Sequence, residues 1–344
     1  MNDVAEVTNL EWQLLAVEWQ LGTSLSQRLA GFTPAEALDQ LARGAVRMRA
    51  ATREKVGEAL AGMQQVRSDV IMRSDPGLPE GLRQLADPPF GLMLRGNRAL
   101  LERSVPRVAI IGSRRPRESA SIAAEAIARG LARRGITVVS GLAIGIDGRA
   151  HEAALDAGGT TIAVLGSGID NVHPRSNRRL ADRIVRRDSL LVSEYAPTAG
   201  AHPWMFRARN RLLAALSDYV VVVQARRASG SMITVRCAQD LGIDVGVVPS
   251  AIDDPAFDGS IELLREGARA IVDAESVARA LGLEAETSSQ LHQFGSTLDV
   301  PRSITEIVAT FDLEYDDVVC DLLDLELEGL IVRTPDGRYR NVQA

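Results

Sequence analysis

Four segments in the middle of the chain share one pattern: an apolar, β-rich run breaks into a glycine loop that opens a helix. They are Val108–Arg115 (VAIIGSRR), Thr137–Asp147 (TVVSGLAIGID), Ala163–Asp170 (AVLGSGID) and Val220–Ser231 (VVVVQARRASGS). Backbone N–H groups at such helix starts point outward and bind anions. Arg114, Arg115, Arg226 and Arg227 stand in or beside two of the loops, and guanidinium groups favour phosphate over a neutral ligand. Two basic segments extend the set. Phe206-Arg207-Ala208-Arg209-Asn210-Arg211 opens a helix with Arg207 and Arg211 at i, i+4, and His173-Pro174-Arg175-Ser176-Asn177-Arg178-Arg179 follows the third glycine strand. Gly230, Ser231 and Thr234 bring two hydroxyls to a helix start, placed for an N-cap or for phosphate.

Other chemistries fit less well. The only lysine, Lys55, lies outside every glycine loop, so there is no G-x-x-x-x-G-K-[ST] loop for ATP hydrolysis and no obvious Schiff-base lysine. Gly112 lacks the second and third glycines of a dinucleotide fingerprint, and Gly166-Ser167-Gly168 has Asn171 where the third belongs. Asp147 and Glu194 lack a nucleophile or matched histidine to make an acid–base pair; they are expected to cap a helix and to accept hydrogen bonds from nearby arginines. His151, His173, His202 and His292 show no metal-ligand spacing with Cys237 and Cys320, which are expected to be reduced packing residues. No metal and no cofactor is expected. Aromatics make up 4% of the chain, with Tyr195, Trp204 and Phe206 near the loops. A bound single strand would then be held mainly through its phosphates, with one or two stacked bases.

The elements that must hold these residues alternate. Strands over 107–112, 137–141, 160–165, 189–194, 219–223, 244–248 and 269–273 are separated by helices over 118–135, 147–157, 176–187, 203–216, 231–242 and 259–267. Such alternation implies right-handed crossovers and a Rossmann-like, doubly wound parallel sheet. Ligands of these sheets bind outside the carboxyl ends of the strands, so the four loops are expected to share one rim.

Around this central domain, 107–284, three other regions are expected. Residues 1–72 read as a small all-helical module, with Trp12 and Trp19 in its core and an N-cap at Thr33-Pro34-Ala35-Glu36. Residues 73–106, with Pro76, Pro79, Pro88 and Pro89, read as a linker or irregular lead-in. In 285–344 a polar linker precedes a capping box at Ser303–Glu306, a helix from Glu314 to Leu327 and a hairpin around Pro335-Asp336-Gly337, a winged-helix-like order. The second of these helices carries Glu314, Asp316, Asp317, Asp321, Asp324 and Glu326, which would repel a phosphate backbone.

The net charge of −6 conceals an uneven distribution. Residues 107–250 carry 20 Arg against 12 Asp and Glu, a net of +8, while residues 251–344 carry a net of −13. A local field recruits a polyanion, so the partner is expected at the centre and not at the C-terminus. No apolar run approaches the ~20 residues of a membrane span, and the start lacks a basic n-region, so a cytoplasmic protein is expected.

Together these residues resemble the DNA-processing protein A (DprA/Smf) family. The resemblance rests on Gly112-Ser113-Arg114, Ser140-Gly141-Leu142-Ala143-x-Gly145-Ile146-Asp147, His173-Pro174-x-x-Asn177, Ser193-Glu194-Tyr195, Phe206-x-x-Arg209-Asn210-Arg211 and Gly230-Ser231-x-x-Thr234. The lead-in from Leu85 to Asn97 is similar too, so the likeness spans nearly the whole chain. It implies a sterile-alpha-motif-like helical N-terminal domain, an extended Rossmann domain and a C-terminal winged helix. It also implies a non-enzymatic recombination mediator, a homodimer through the Rossmann-like domain that binds incoming single-stranded DNA and loads RecA during natural transformation.

On matching positions the resemblance assigns phosphate binding to Ser113, Arg114, Gly141, Gly230, Ser231 and Thr234. Arg175, Asn177, Phe206, Arg209 and Arg211 would track the strand or stack on a base, with Gly112, Arg115, Ser140, Gly145, Arg207 and Asn210 completing the site. The chain departs from the family at His173 for Tyr, Ser250 for Gly and Ser260 for Asn; the last two are expected to loosen the sheet end where family dimers form. Two alternatives stand beside this reading: a nucleotide-processing enzyme of the phosphoribohydrolase (LOG-like) type, whose Pro-Gly-Gly-x-Gly-Thr loop is replaced here by Ala228–Thr234, and an interaction scaffold that binds no DNA.

Overall fold

The computed structural model describes Glu36 and residues 69–102, 105–283, 297–311, 315–327 and 329–342. The N-terminal helical reading, Trp12 and Trp19 included, lies outside the described residues apart from Glu36. The chain divides into two compact units, residues 1–281 and 282–344.

The first unit is built on a nine-stranded sheet. Its strands are β1 (Asp69–Met72), β2 (Gly91–Gly96), β3 (Arg107–Gly112), β4 (Thr137–Ser140), β5 (Thr161–Leu165), β6 (Leu190–Ser193), β7 (Tyr219–Gln224), β8 (Val245–Val247) and β9 (Arg269–Ala270). The helices are α1 (Glu80–Arg83), α2 (Glu118–Arg133), α3 (Ile146–Asp156), α4 (Arg178–Arg186), α5 (Pro203–Ala215), α6 (Ser231–Asp240), α7 (Asp258–Arg265) and α8 (Ala274–Ala280). Spatial order is β1-β2-β6-β5-β4-β3-β7-β8-β9, parallel from β6 to β9.

Alternate residues of each inner strand serve opposite faces, so the strands read as continuous apolar runs. Ala109, Ile111, Val220 and Val222 pack with Leu212, Leu213, Val235 and Leu263, which places α5, α6 and α7 on one face with Leu82 of α1. Val108, Ile110, Tyr219, Val221 and Val223 meet α2, α3 and α8 on the other, where Leu180 and Ile184 of α4 close over Ala163, Leu165 and Leu191. All six residues of β7 are buried.

Two readings of the sequence change here. The lead-in expected at 73–106 holds β2, and Asp69–Met72, expected at the end of the helical module 1–72, is instead β1: β1 pairs antiparallel with β2, and β2 with β6, so both extend the sheet. The prolines fall in the turns between the strands. The helix α8 had no counterpart in the sequence reading; its start is capped by Asp273, whose carboxylate accepts the Ser276 N–H at 2.7 Å. Ser260 is buried at the sheet end, where its Oγ accepts the Ala225 N–H at 2.9 Å. The Ser250 hydroxyl, by contrast, is buried without a hydrogen-bond partner among the described residues.

The second unit holds helices α9 (Ile304–Phe311) and α10 (Tyr315–Leu327) and an antiparallel hairpin of β10 (Ile331–Arg333) and β11 (Tyr339–Asn341). Leu298, Ile307, Val318, Leu322, Leu325, Ile331 and Tyr339 form its core. The capping box is present: the Ser303 N–H donates to Glu306 Oε2 at 2.8 Å and the Glu306 N–H to Ser303 Oγ at 3.3 Å. Cys320 is exposed, so of the two cysteines only Cys237 is partly packed.

Candidate nucleic-acid interface

The order of strands reverses between β3 and β7, which lie side by side although β4 follows β3 in the chain. Crevices of doubly wound sheets open at such a switch point. The register of this pair slips by one residue after Ile111, where Gly112 faces Gln224. The loops that follow are tied together. Ser231 Oγ donates to the Gly112 carbonyl at 3.3 Å, the Ile146 N–H donates to the Ser113 carbonyl at 3.2 Å, and the Arg117 N–H donates to Gln224 Oε1 at 2.8 Å.

Gly145 is required where it stands. Its φ is +86°, and a Cβ there would fall on the Ser113 carbonyl oxygen and 2.9 Å from Arg114 Cα. The bare glycine lets the second loop press against the first, which lifts the exposed Arg114 to the surface. Gly166 serves Phe206 in the same way, since a Cβ would sit 2.5 Å from the ring. Arg114 lies 5.4 Å above the centroid of Phe206, and His173 packs on that ring at 5.7 Å. Residues from three loops and the start of α5 thus form one cationic, aromatic surface.

The arginines of α5 do not act alike. Arg207 is exposed, whereas Arg209 and Arg211 are 3% and 7% exposed and are spent on the protein itself. Arg209 Nη1 donates to the Gly141 carbonyl at 2.8 Å and to the Val164 carbonyl, joining the ends of β4 and β5. Arg211 grips both oxygens of Glu194, at 2.8 and 2.5 Å, and reaches Asp87 at 2.9 Å. Burial works against the charge of Arg211, but Glu194 and Asp87 hold its pKa above the ordinary value. Glu194 thus accepts from an arginine, as the sequence suggested. Asn210 is buried too and donates to the Gly230 carbonyl at 2.9 Å.

Other expected site residues divide by depth. Arg115, Arg175 and Gly230 are exposed, and Gly112, Ser113, Gly145, Asn177, Phe206 and Ser231 are half-buried. Ser140, Gly141 and Thr234 are buried; Ser140 Oγ donates to the Ile110 carbonyl at 2.6 Å. Asn177 holds the second loop by donating to the Leu142 and Ala143 carbonyls at 3.0 and 3.1 Å. Asp147 is no helix cap: Gly145 holds the N-cap position of α3 with no side-chain cap, and the buried Asp147 carboxylate takes the Ala143 N–H at 3.4 Å. Burial raises the Asp147 pKa against the opposing field of Arg209. The hydroxyls of α6 make no cap either, since Ser231 is turned to Gly112. Ile144, 55% exposed within the second loop, was passed over in the sequence because apolar residues are ordinarily core.

His151 lies beneath the second loop, fully buried, with Nδ1 2.6 Å from Thr161 Oγ1. That hydroxyl donates to the Val138 carbonyl, so it accepts from the Nδ1–H of the ring. Burial, helped by Arg209, pushes the His151 pKa down to about 3. The unfolded chain therefore takes up a proton below about pH 6.5 that the folded one refuses, and stability is lost as pH falls. Between pH 6 and 4 we expect His151 to remove roughly 1.4 kcal/mol of stability per pH unit. Asp147, with its raised pKa, contributes with the opposite sign. The effect is therefore read as the difference between wild type and His151→Gln in urea melts; parallel pH profiles would contradict the buried neutral imidazole.

Among the described residues no group of three or more His, Cys, Asp and Glu could hold a metal, and no helix is long and apolar enough to cross a membrane. The arrangement offers exposed guanidinium groups and a ring face, which suit binding of a phosphodiester chain.

Comparison with known proteins places the chain in a family. A family model described as DNA recombination-mediator protein A matches residues 69–282. DNA processing protein DprA of Bacillus subtilis (strain 168) is 35% identical over 227 residues, covering 66% of this chain and 76% of that one. The X-ray structure of DNA processing protein A from Streptococcus pneumoniae aligns with a TM-score of 0.68 at 33% identity, over 78% of this chain and 97% of that one. DNA processing protein A from Helicobacter pylori, described for its single-stranded DNA binding mode, aligns with a TM-score of 0.56 at 33% identity, over 62% and 95%. The chain belongs to the DNA recombination-mediator protein A, or DprA/Smf, family.

Proposed function

We propose that this protein is a non-enzymatic recombination mediator that binds single-stranded DNA across the rim of the sheet, protects incoming strands and loads RecA, in natural transformation and in repair. The observation that carries the reading is the surface made by Arg114, Phe206 and His173 above the interlocked glycine loops. A cation and a ring face at one point hold a phosphate and a base of a flexible strand, whereas a duplex keeps its base faces stacked inside. In this reading the protein works as a homodimer through the central domain. The helices and hairpin of the second unit act as a winged helix whose acidic helix meets protein and not duplex DNA.

The test is fluorescence anisotropy of a labelled oligo-dT strand at several salt concentrations, with duplex as competitor. Affinity should resist the duplex and fall with salt, by about 0.7 in log–log slope per phosphate neutralised. Absence of binding at low salt would overturn the proposal. Loading is tested by the lag before RecA assembles on strands precoated with single-strand-binding protein, which the full chain should shorten.

A further inference from the structure

We infer that the outer face of α4 is a second track for the phosphodiester chain, carrying a strand from the rim down the flank of the sheet through Arg179, Arg186 and Arg187. This rests on the reading of the rim as a single-strand site. The segment leaves the rim beside Phe206: His173 packs on that ring, Arg175 follows in an exposed turn, and Asn177 ties the start of α4 to the second glycine loop. Leu180, Ala181 and Ile184 are the buried side of the helix. Arg178, Arg179, Arg186 and Arg187 face solvent, and among the described residues none of their side chains makes a hydrogen bond or ion pair. Arg183, between them, is taken by Asp156. Asp182 is the exposed carboxylate of the helix, and it acts on Arg95 from the neighbouring strand β2.

Helix electrostatics separate the two ends of the track. At the C-terminus, Arg186 and Arg187 complement the macrodipole. At the N-terminus, Arg178 and Arg179 oppose it, with no acidic residue in the first turn to relieve them. Cations held against the dipole are stabilised when an anion arrives. A helix of 9 residues spans about 13 Å, enough to continue a chain already fixed at the rim.

The variant Arg179→Ser/Arg186→Ser/Arg187→Ser alters exposed side chains only and should keep the wild-type melting temperature. It should bind dT6, which the rim alone accommodates, as wild type does. On dT20 it should bind about tenfold more weakly, with a salt slope shallower by about 2, as expected for three lost phosphate contacts. Unchanged dT20 affinity and slope would overturn the track, as would equal losses on dT6 and dT20, which would place these arginines at the rim itself. Wild type binding neither strand would remove the rim reading along with it.

Discussion

Arg211→Ala should melt roughly 10 °C below wild type, or fail to accumulate as folded protein, whatever ligand is present. The substitution leaves Glu194, itself 4% exposed, as a buried carboxylate without its forked partner, and frees Asp87 as well. Breaking a buried pair from one side costs about 3–5 kcal/mol, and each kcal/mol lowers the melting temperature of a domain this size by about 2–4 °C. Arg211→Lys keeps the charge but not the two parallel hydrogen bonds, so it should fall between. Arg207→Ala, four residues earlier and exposed, should melt like wild type. Scanning fluorimetry of the three variants decides the point. If Arg211→Ala melted like wild type and lost only DNA binding, Arg211 would be a ligand-contacting residue and the structural role assigned to it would be wrong.

That contrast marks where the sequence stops being informative. Strands β3 to β8 were legible because a parallel sheet buried on both faces must be written in unbroken Val, Ile, Ala and Leu, and the glycine breaks had to follow their carboxyl ends. The strands β1 and β2 were hidden by Pro76, Pro79, Pro88 and Pro89, although Gly91–Gly96 is itself an apolar run that ends in Arg95 and Gly96. Punctuation outweighed it because pairing with the distant β6 leaves no local mark. Among the site residues, spacing fixed the arginines of α5 on a helix but not which of them faces inward. Glu194 and the run Leu212–Leu216 were the available signals that the second and third arginines point into the fold. Asp147 misled for a related reason: an acidic residue at a helix start is ordinarily a cap, and only the third dimension brings Arg209 to it.

Phe206→Ala should weaken binding of oligo-dT by roughly 5- to 150-fold, since a stacked base contributes about 1–3 kcal/mol. Arg114→Ala should weaken it too and make the salt slope shallower by about 0.7, one phosphate's share. Because the Arg114 guanidinium lies 5.4 Å above the Phe206 ring, each residue also holds the other in place. The double variant should therefore lose less than the product of the two single losses, a coupling of order 0.5–1 kcal/mol. Arg114→Lys distinguishes charge from shape: it should restore most of the salt slope but little of the affinity, because an ammonium group lacks the planar face that lies on the ring. Anisotropy titrations of the four proteins at one salt concentration close the cycle. Strictly multiplicative losses would mean that the cation and the ring bind separate parts of the strand and that their contact in the free protein has no part in recognition.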